Sequence, residues 1–212
     1  MMKPVRFALP KGRLFDQALI LLAKTGIQPG PGQEESRKLL YRDTSSRFEF
    51  VPLKPIDIPV YVESGAIDVG IVGSDILREL ESDVYEPMDL QIGRCRLSLA
   101  VPDGKTLSYD QHLRVATKYP RTAARFFAAK NSHVHVVKLD GSVEIAPLLG
   151  LADAIVDLVE TGRTLRENGM HIVEDIAQIS AKFIVNRTAM KMKAKAIRQL
   201  ISQLDATVYE NT

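Results

Sequence analysis

The stretch Asp153-Ala-Ile-Val-Asp157-Leu-Val-Glu160-Thr161-Gly162-Arg163-Thr164-Leu165 reads as a buried strand that runs into carboxylates, a Thr/Gly/Thr turn and a helical segment. Buried strands rarely carry two carboxylates near their C-terminal end without a chemical use. A small turn bearing hydroxyls and a glycine at a helix N-terminus can cradle a phosphate, because free backbone N–H groups and the helix dipole point at the anion. Carboxylates able to hold sugar hydroxyls, placed beside such a nest, suggest a phosphorylated ribose. A strand-to-helix turn with an Asp/Thr cap explains the same residues, and this segment alone leaves both readings open.

Working outward, the strand closes the second of two similar halves. Residues 5–9 predict a strand, 10–13 a basic loop and 14–24 a helix stopped by Gly26. Residues 48–53 form another apolar run, 56–64 a helix ended by Gly65, and 68–72 a third strand. The order restarts with a strand at 114–116, the basic loop 117–122 and a helix at 123–129. A strand at 134–139, a helix at 143–149 and a strand at 154–159 follow. The closing segments are alike: Gly65-Ala66-Ile67-Asp68-Val69-Gly70-Ile71-Val72 against Gly150-Leu151-Ala152-Asp153-Ala154-Ile155-Val156. Two βαβαβ halves imply an α/β protein of two lobes, each with a mostly parallel sheet.

Alternation over 94–101 predicts a strand crossing from one lobe to the other, and 182–185 a strand crossing back. The expected division is residues 1–92 with 181–212 as lobe I, and 93–180 as lobe II. Ile197, Leu200, Ile201 and Leu204 recur at helical spacing in the tail 189–204, predicting a helix packed on lobe I. Lys191, Lys193 and Lys195 then fall on its solvated side. Two crossings describe a fold of the periplasmic-binding-protein kind (type II), with the active site expected in the interlobe cleft at the strand C-termini.

Lys11 and Arg13 follow the first strand, Arg37 and Lys38 lie on the next connection, and Lys118 and Arg121 take the equivalent loop of the second half. Single basic loop residues are usually solvated, but several at equivalent strand ends suit a ligand with several phosphates. Asp75 in Val72-Gly73-Ser74-Asp75-Ile76-Leu77 reads as an N-cap or as a site carboxylate.

Composition excludes other classes. The chain has 212 residues, 45% hydrophobic and 25% charged, ordinary for a globular protein with a full core. A net charge of +2 gives no general attraction to nucleic acid. One cysteine, Cys95, permits neither an intrachain disulfide nor a cysteine zinc site, and is expected as a small buried hydrophobe. The N-terminus lacks the apolar region of a secretory signal and no run is long enough to span a membrane, so a cytoplasmic protein is expected. His133 and His135 alternate without a third ligand and read as half-exposed strand residues; His112 and His171 read as unpaired surface residues.

In order along the chain, Leu9-Pro10-Lys11-Gly12-Arg13, Ser36-Arg37-Lys38-Leu39 and Asp57-Ile58-Pro59-Val60-Tyr61-Val62-Glu63-Ser64-Gly65 resemble one family. So do Asp68-Val69-Gly70-Ile71-Val72-Gly73-Ser74-Asp75, Ala116-Thr117-Lys118-Tyr119, Gly141-Ser142-Val143-Glu144-Ile145-Ala146-Pro147-Leu148 and the run from Asp157 to Leu165. The ordered set is similar to the catalytic subunit of ATP phosphoribosyltransferase, in its short form.

The resemblance implies that N1 of the adenine of ATP attacks C1 of phosphoribosyl pyrophosphate, releasing pyrophosphate in the first step of histidine biosynthesis. It implies that Glu160, Thr161, Gly162, Arg163 and Thr164 hold the 5-phosphate, and that Asp157 and Glu160 face the ribose hydroxyls. Lys11, Arg13 and Arg37 match positions around the phosphates, Arg13 and Arg37 as the groups neutralising the departing pyrophosphate; Glu144 matches a site position whose role stays open. Arg163 is open between a phosphate contact and solvent. Mg²⁺ would be carried with the donor, keeping several waters, so no metal-ligating residue is assigned. A short-form chain further implies a separate regulatory subunit resembling histidyl-tRNA synthetase in a hetero-oligomer, with a dimer of catalytic chains on their own. A non-catalytic bilobal module binding an anion or effector is the alternative that the fold alone would allow.

Overall fold

Gly26, in the left-handed conformation at φ +78°, ends the first helix where the sequence places its stop. In the computed structural model, which describes residues 3–28, 40–109 and 112–209, this is α1 (Phe15–Lys24), following β1 (Val5–Pro10). The chain continues through β2 (Tyr41–Arg42), β3 (Phe48–Leu53), a 3-10 turn (Pro55–Asp57), α2 (Ile58–Glu63), β4 (Val69–Gly73), α3 (Ser74–Leu80) and β5 (Tyr85–Asp89). Next come β6 (Cys95–Pro102), β7 (Leu113–Thr117), α4 (Pro120–Ala129), β8 (Val134–Lys138), α5 (Ile145–Leu148), β9 (Ala154–Val159) and α6 (Arg163–Glu167). The last elements are β10 (Met170–Ile179), β11 (Ala181–Val185), α7 (Arg187–Met192) and α8 (Ala194–Tyr209).

These elements form two units: one runs to Gly93 and resumes at Ser180, and the other is Arg94–Ile179. The first holds a sheet of order β2-β3-β1-β4-β11-β5, the second a sheet of order β10-β6-β9-β7-β8. In each, three neighbouring strands are parallel: β3, β1 and β4 in one, β9, β7 and β8 in the other. The βαβ connections require this, because a helix must return the chain to the same end of the sheet.

Most strands of each sheet run in one direction, but each sheet also takes in antiparallel neighbours. β11 lies antiparallel between β4 and β5, and β6 lies antiparallel between β9 and β10. No helical crossover precedes β6 or β11, so nothing returns the chain to the end from which the central strands start. β5 and β10 are strands that the two-half pattern does not include, although β10 largely alternates less exposed and more exposed positions.

The halves repeat each other in register. Asp68 accepts the backbone N–H of Arg6 at 2.7 Å, as Asp153 accepts that of Arg114 at 3.0 Å. Phe7 lies opposite Val69 and Ala8 opposite Gly70, as Val115 lies opposite Ala154 and Ala116 opposite Ile155. Carrying the alignment forward sets Leu9 against Thr117, and Val72 against Asp157.

The first unit's core joins Phe7, Phe50 and Phe183 to Leu22 of α1 and to Ile197, Leu200 and Leu204 of α8. The tail therefore packs as expected, but it is broken between α7 and α8. At that break Lys193 is half-buried, with Nζ 2.6 Å from Asp68 and 2.8 Å from the Pro4 carbonyl, so it is not a solvated helix residue. The second unit's core gathers Ile155, Val159, Leu165 and Val143. No described helix is long and apolar enough to cross a membrane.

Candidate active site

Parallel strands deliver their C-termini to one edge of a sheet, and residues picked from the sequence collect on that edge in each unit. In the second unit, β7 leads to Lys118, β8 to the loop carrying Glu144, and β9 to Glu160 and the Thr161–Thr164 turn. In the first, β1 leads to Lys11, Gly12 and Arg13, and β4 leads to Ser74 and Asp75 in the first turn of α3.

Asp157 has the least ordinary position. Alternation along β9 puts it on the face of Ile155 and Val159, both buried in the core beside Leu165 of α6. Its equivalent in the first unit, Val72, is fully buried, so the fold accepts an apolar residue there. The Asp157 carboxylate is half-buried, and Oδ1 accepts the backbone N–H of Leu158 at 2.8 Å. Across β6 it faces Ser98, whose buried hydroxyl donates to Asp175 Oδ1 at 2.7 Å. Arg96 Nη1 holds the other oxygen of Asp175 at 3.1 Å. Sequence reading does not single out Ser98 or Asp175; the alternation of β10 is the signal that could have found Asp175.

After β9, Gly162 takes φ +72°, ψ +10° and turns the chain into α6. An L side chain costs about 1–2 kcal/mol in that conformation. Thr161 Oγ1 accepts the N–H of Arg163 at 3.4 Å, and the Thr161 carbonyl accepts Arg166 Nη1 at 3.2 Å. Thr161 and Thr164 are exposed. Arg163 is also exposed, and its Nε sits 2.7 Å from Glu167 one turn on. Glu144 is the half-buried residue that opens the four-residue α5, shorter than the helix expected over 143–149.

In the first unit, the Lys11 N–H donates to Leu53 at 2.8 Å, fixing the loop to the end of β3. The exposed Arg13 reaches the Gly93 carbonyl through Nη2 at 3.5 Å, and Gln17 accepts the Gly93 N–H at 2.8 Å. Asp75 does not cap α3: the capping position is Gly73, and the buried Asp75 lies in the first turn, where an acid complements the helix dipole. Its carboxylate folds back over the Gly73 α-carbon so closely that a methyl group there would collide with it. Arg37 and Lys38 lie outside the described residues.

Other expectations resolve simply. Cys95 is buried at the start of β6; His135 is exposed on β8, and His133 is exposed just before that strand. His171 is exposed but not unpaired, since Nδ1 meets Asp103 at 3.2 Å. Among the described residues no three His, Cys, Asp or Glu side chains converge as a metal site.

The HisG family, ATP phosphoribosyltransferase, matches residues 54–206. An ATP phosphoribosyltransferase of Oceanobacillus iheyensis is 47% identical over 207 residues, covering 98% of this chain and all of that one. The chain belongs to the ATP phosphoribosyltransferase family. A second relative of that name, from Caldanaerobacter subterraneus subsp. tengcongensis, is 46% identical over 94% of this chain and 95% of its own. A structure of the ATP phosphoribosyltransferase HisG:HisZ complex from Thermotoga maritima contains a chain with TM-score 0.85 and 32% identity, covering 97% of this chain and 99% of that one. The periplasmic sulphonate-binding protein SsuA of Escherichia coli has TM-score 0.63 at 12% identity, covering 98% of this chain and 73% of its own. That likeness is one of fold alone. Family membership makes the chain a pentosyltransferase of the first step of histidine biosynthesis.

Proposed function

We propose that the two units divide this phosphoribosyl transfer between donor and leaving group. The second unit takes phosphoribosyl pyrophosphate: Thr161, Gly162, Arg163 and Thr164 receive the 5-phosphate, Asp157 and Glu160 the ribose hydroxyls. Lys118 adds a cation from the neighbouring strand end, and Glu144 borders the same edge. The first unit supplies Lys11 and Arg13, joined by Arg37 on its sequence match, for the pyrophosphate. Asp75, in the first turn of α3 of the same unit, completes its set of substrate-binding residues.

In the reaction the lone pair of adenine N1 forms a bond to C1 of the ribose. The C1–O bond to pyrophosphate breaks, and its electron pair leaves on the pyrophosphate oxygen. The protein has to align two substrates and stabilise departing charge; no side chain acts as nucleophile. Mg²⁺ bound to the donor's pyrophosphate would screen that charge with the cations of the first unit. The observation that carries this assignment is the half-buried Asp157 on a core-facing row where the repeated half has a buried valine. We extend the HisG:HisZ arrangement to this chain, with a regulatory subunit resembling histidyl-tRNA synthetase as its partner.

The test is to mix the chain with ATP, phosphoribosyl pyrophosphate, Mg²⁺ and pyrophosphatase, and to follow the absorbance of the adenine adduct. Product should form alone or with the regulatory subunit; none under either condition would refute the reading.

A further inference from the structure

We propose that Thr117 is a positioning residue for donor binding, acting through the two chain segments that its hydroxyl ties together. Thr117 ends β7 and is fully buried. Its Oγ1 donates to the carbonyl of Val156 at 2.6 Å and accepts the N–H of Tyr119 at 2.9 Å. Its own carbonyl accepts the N–H of Leu139 at 3.0 Å.

Both hydroxyl bonds end next to a residue of the donor edge, and the backbone bond ends at the strand exit toward another. Val156 immediately precedes Asp157, Tyr119 immediately follows Lys118, and Leu139 leads into the loop of Glu144. One buried side chain therefore sets the height of β9 against the β7–α4 turn, and its backbone fixes the β8 exit beside them.

The internal repeat separates this role from ordinary packing. Leu9, the equivalent residue on β1, is 1% exposed, against 0% for Thr117. The fold thus fills this position with an aliphatic side chain when no bridge is needed. A buried hydroxyl is tolerated only with its hydrogen bonds made, and here both donor and acceptor capacity are used. A bridge between two substrate-bearing segments gives it a purpose, because misplacement of about 1 Å lowers the rate of a bimolecular transfer steeply.

The inference rests on the reading of Asp157 and Lys118 as donor-site residues. Steady-state kinetics on the full chain, with the regulatory subunit if activity needs it, would compare Thr117→Val, Thr117→Ser, Lys118→Ala, Thr117→Val/Lys118→Ala and Asp157→Asn. Thr117→Val should raise KM for phosphoribosyl pyrophosphate about tenfold and leave KM for ATP within about twofold. Thr117→Ser, which keeps the hydroxyl, should restore most of the loss. The double variant should fall short of the product of the single effects, since both act through the placement of Lys118. Should Thr117→Val not fold, Thr117→Cys carries the same expectation, its thiol filling the space as a weak donor. Wild-type kinetics in Thr117→Val, equal losses for both substrates, or fully multiplicative effects would overturn the proposal. If Asp157→Asn and Lys118→Ala both leave donor kinetics unchanged, the donor-site reading fails and this inference falls with it. If only Thr117→Val is silent, the donor site stands and the positioning role is gone.

Discussion

Asp153 meets Arg114 through both its backbone and its guanidinium: it accepts the Arg114 N–H at 3.0 Å, Nε at 3.1 Å and Nη2 at 2.9 Å. The Asp153 N–H returns to the Arg114 carbonyl at 2.8 Å, and Arg114 Nη1 reaches the Gly150 carbonyl at 2.8 Å. Asp68 and Arg6 repeat the backbone exchange at 2.7 and 3.1 Å, with Arg6 Nη1 on the Ala66 carbonyl at 3.3 Å. The halves then diverge, because Asp68 turns its carboxylate to Lys193 and Arg6 turns to Glu49. A shared staple at the start of the strands leaves their far ends free to carry different chemistry.

The Asp153 staple predicts a pH-dependent stability. Hydrogen bonds from the Arg114 guanidinium, foremost, hold the Asp153 carboxyl below its ordinary value. A depressed carboxyl stabilises the fold above its unfolded value near 3.8, and that contribution is lost as pH falls through the folded value. Asp153→Asn should cost about 1 kcal/mol at neutral pH, the scale for a partly exposed bidentate pair. Urea titrations at about pH 7 and about pH 3 should show the gap to the wild type closing in acid. A gap of the same size at both values would contradict an ionic origin.

Gly73 is a packing glycine rather than a conformational one, its φ of −67° being open to any residue. Gly73→Ala should destabilise the chain by about 1–3 kcal/mol, because the methyl group meets the Asp75 carboxylate. Shortening the acid in Gly73→Ala/Asp75→Ala should recover part of that loss in thermal denaturation. Equal melting of the single and double variants would show that the collision is relieved elsewhere.

Asp157→Asn removes the charge from a carboxylate assigned to ribose hydroxyls while keeping its shape. Charge-assisted hydrogen bonds contribute about 1.5–3 kcal/mol, so kcat/KM for phosphoribosyl pyrophosphate should drop about 10- to 100-fold. Binding of ATP, followed by calorimetry without the donor, should stay unchanged. Unaltered donor kinetics would remove Asp157 from the site.

Arg13→Ala should lower kcat by about 100-fold, the scale seen when one preorganised charge-stabilising group is removed. Its effect on ATP affinity should be far smaller, because charge develops on pyrophosphate only as the C1–O bond breaks. A change confined to KM would assign Arg13 to ground-state binding instead.

Most strands and helices of the two halves were legible in the sequence, because apolar periodicity and the Gly26 and Gly65 stops are local signals. β5 escaped that reading: Tyr85, Glu86 and Pro87 are exposed, so it has no apolar alternation to display. β10 does alternate, but its Glu174 and Asp175 look like a solvated segment until β6 is seen beside them. The same limit applies to side chains. Asp75 reads as a cap because Ser-Asp precedes an apolar run, yet the helix starts at Ser74 and the acid lies inside it. Lys193 and His171 look unpaired because their acids, Asp68 and Asp103, are far away in sequence.

By itself the sequence determined the α/β alternation, the internal repeat, the family and the carboxylate-then-turn run of Asp157–Thr164. Each depends on residue order or short-range periodicity, which the chain carries wherever it folds. Tertiary structure alone decided that the sheets are mixed, that Asp157 interrupts a buried row, and that Thr117 rather than an aliphatic residue bridges β7 to β9. Those facts depend on register between strands far apart in sequence, from Val115 against Ala154 to Val69 against Val185, and the physical cost of burying a hydroxyl or carboxylate exists only once that pairing has removed water.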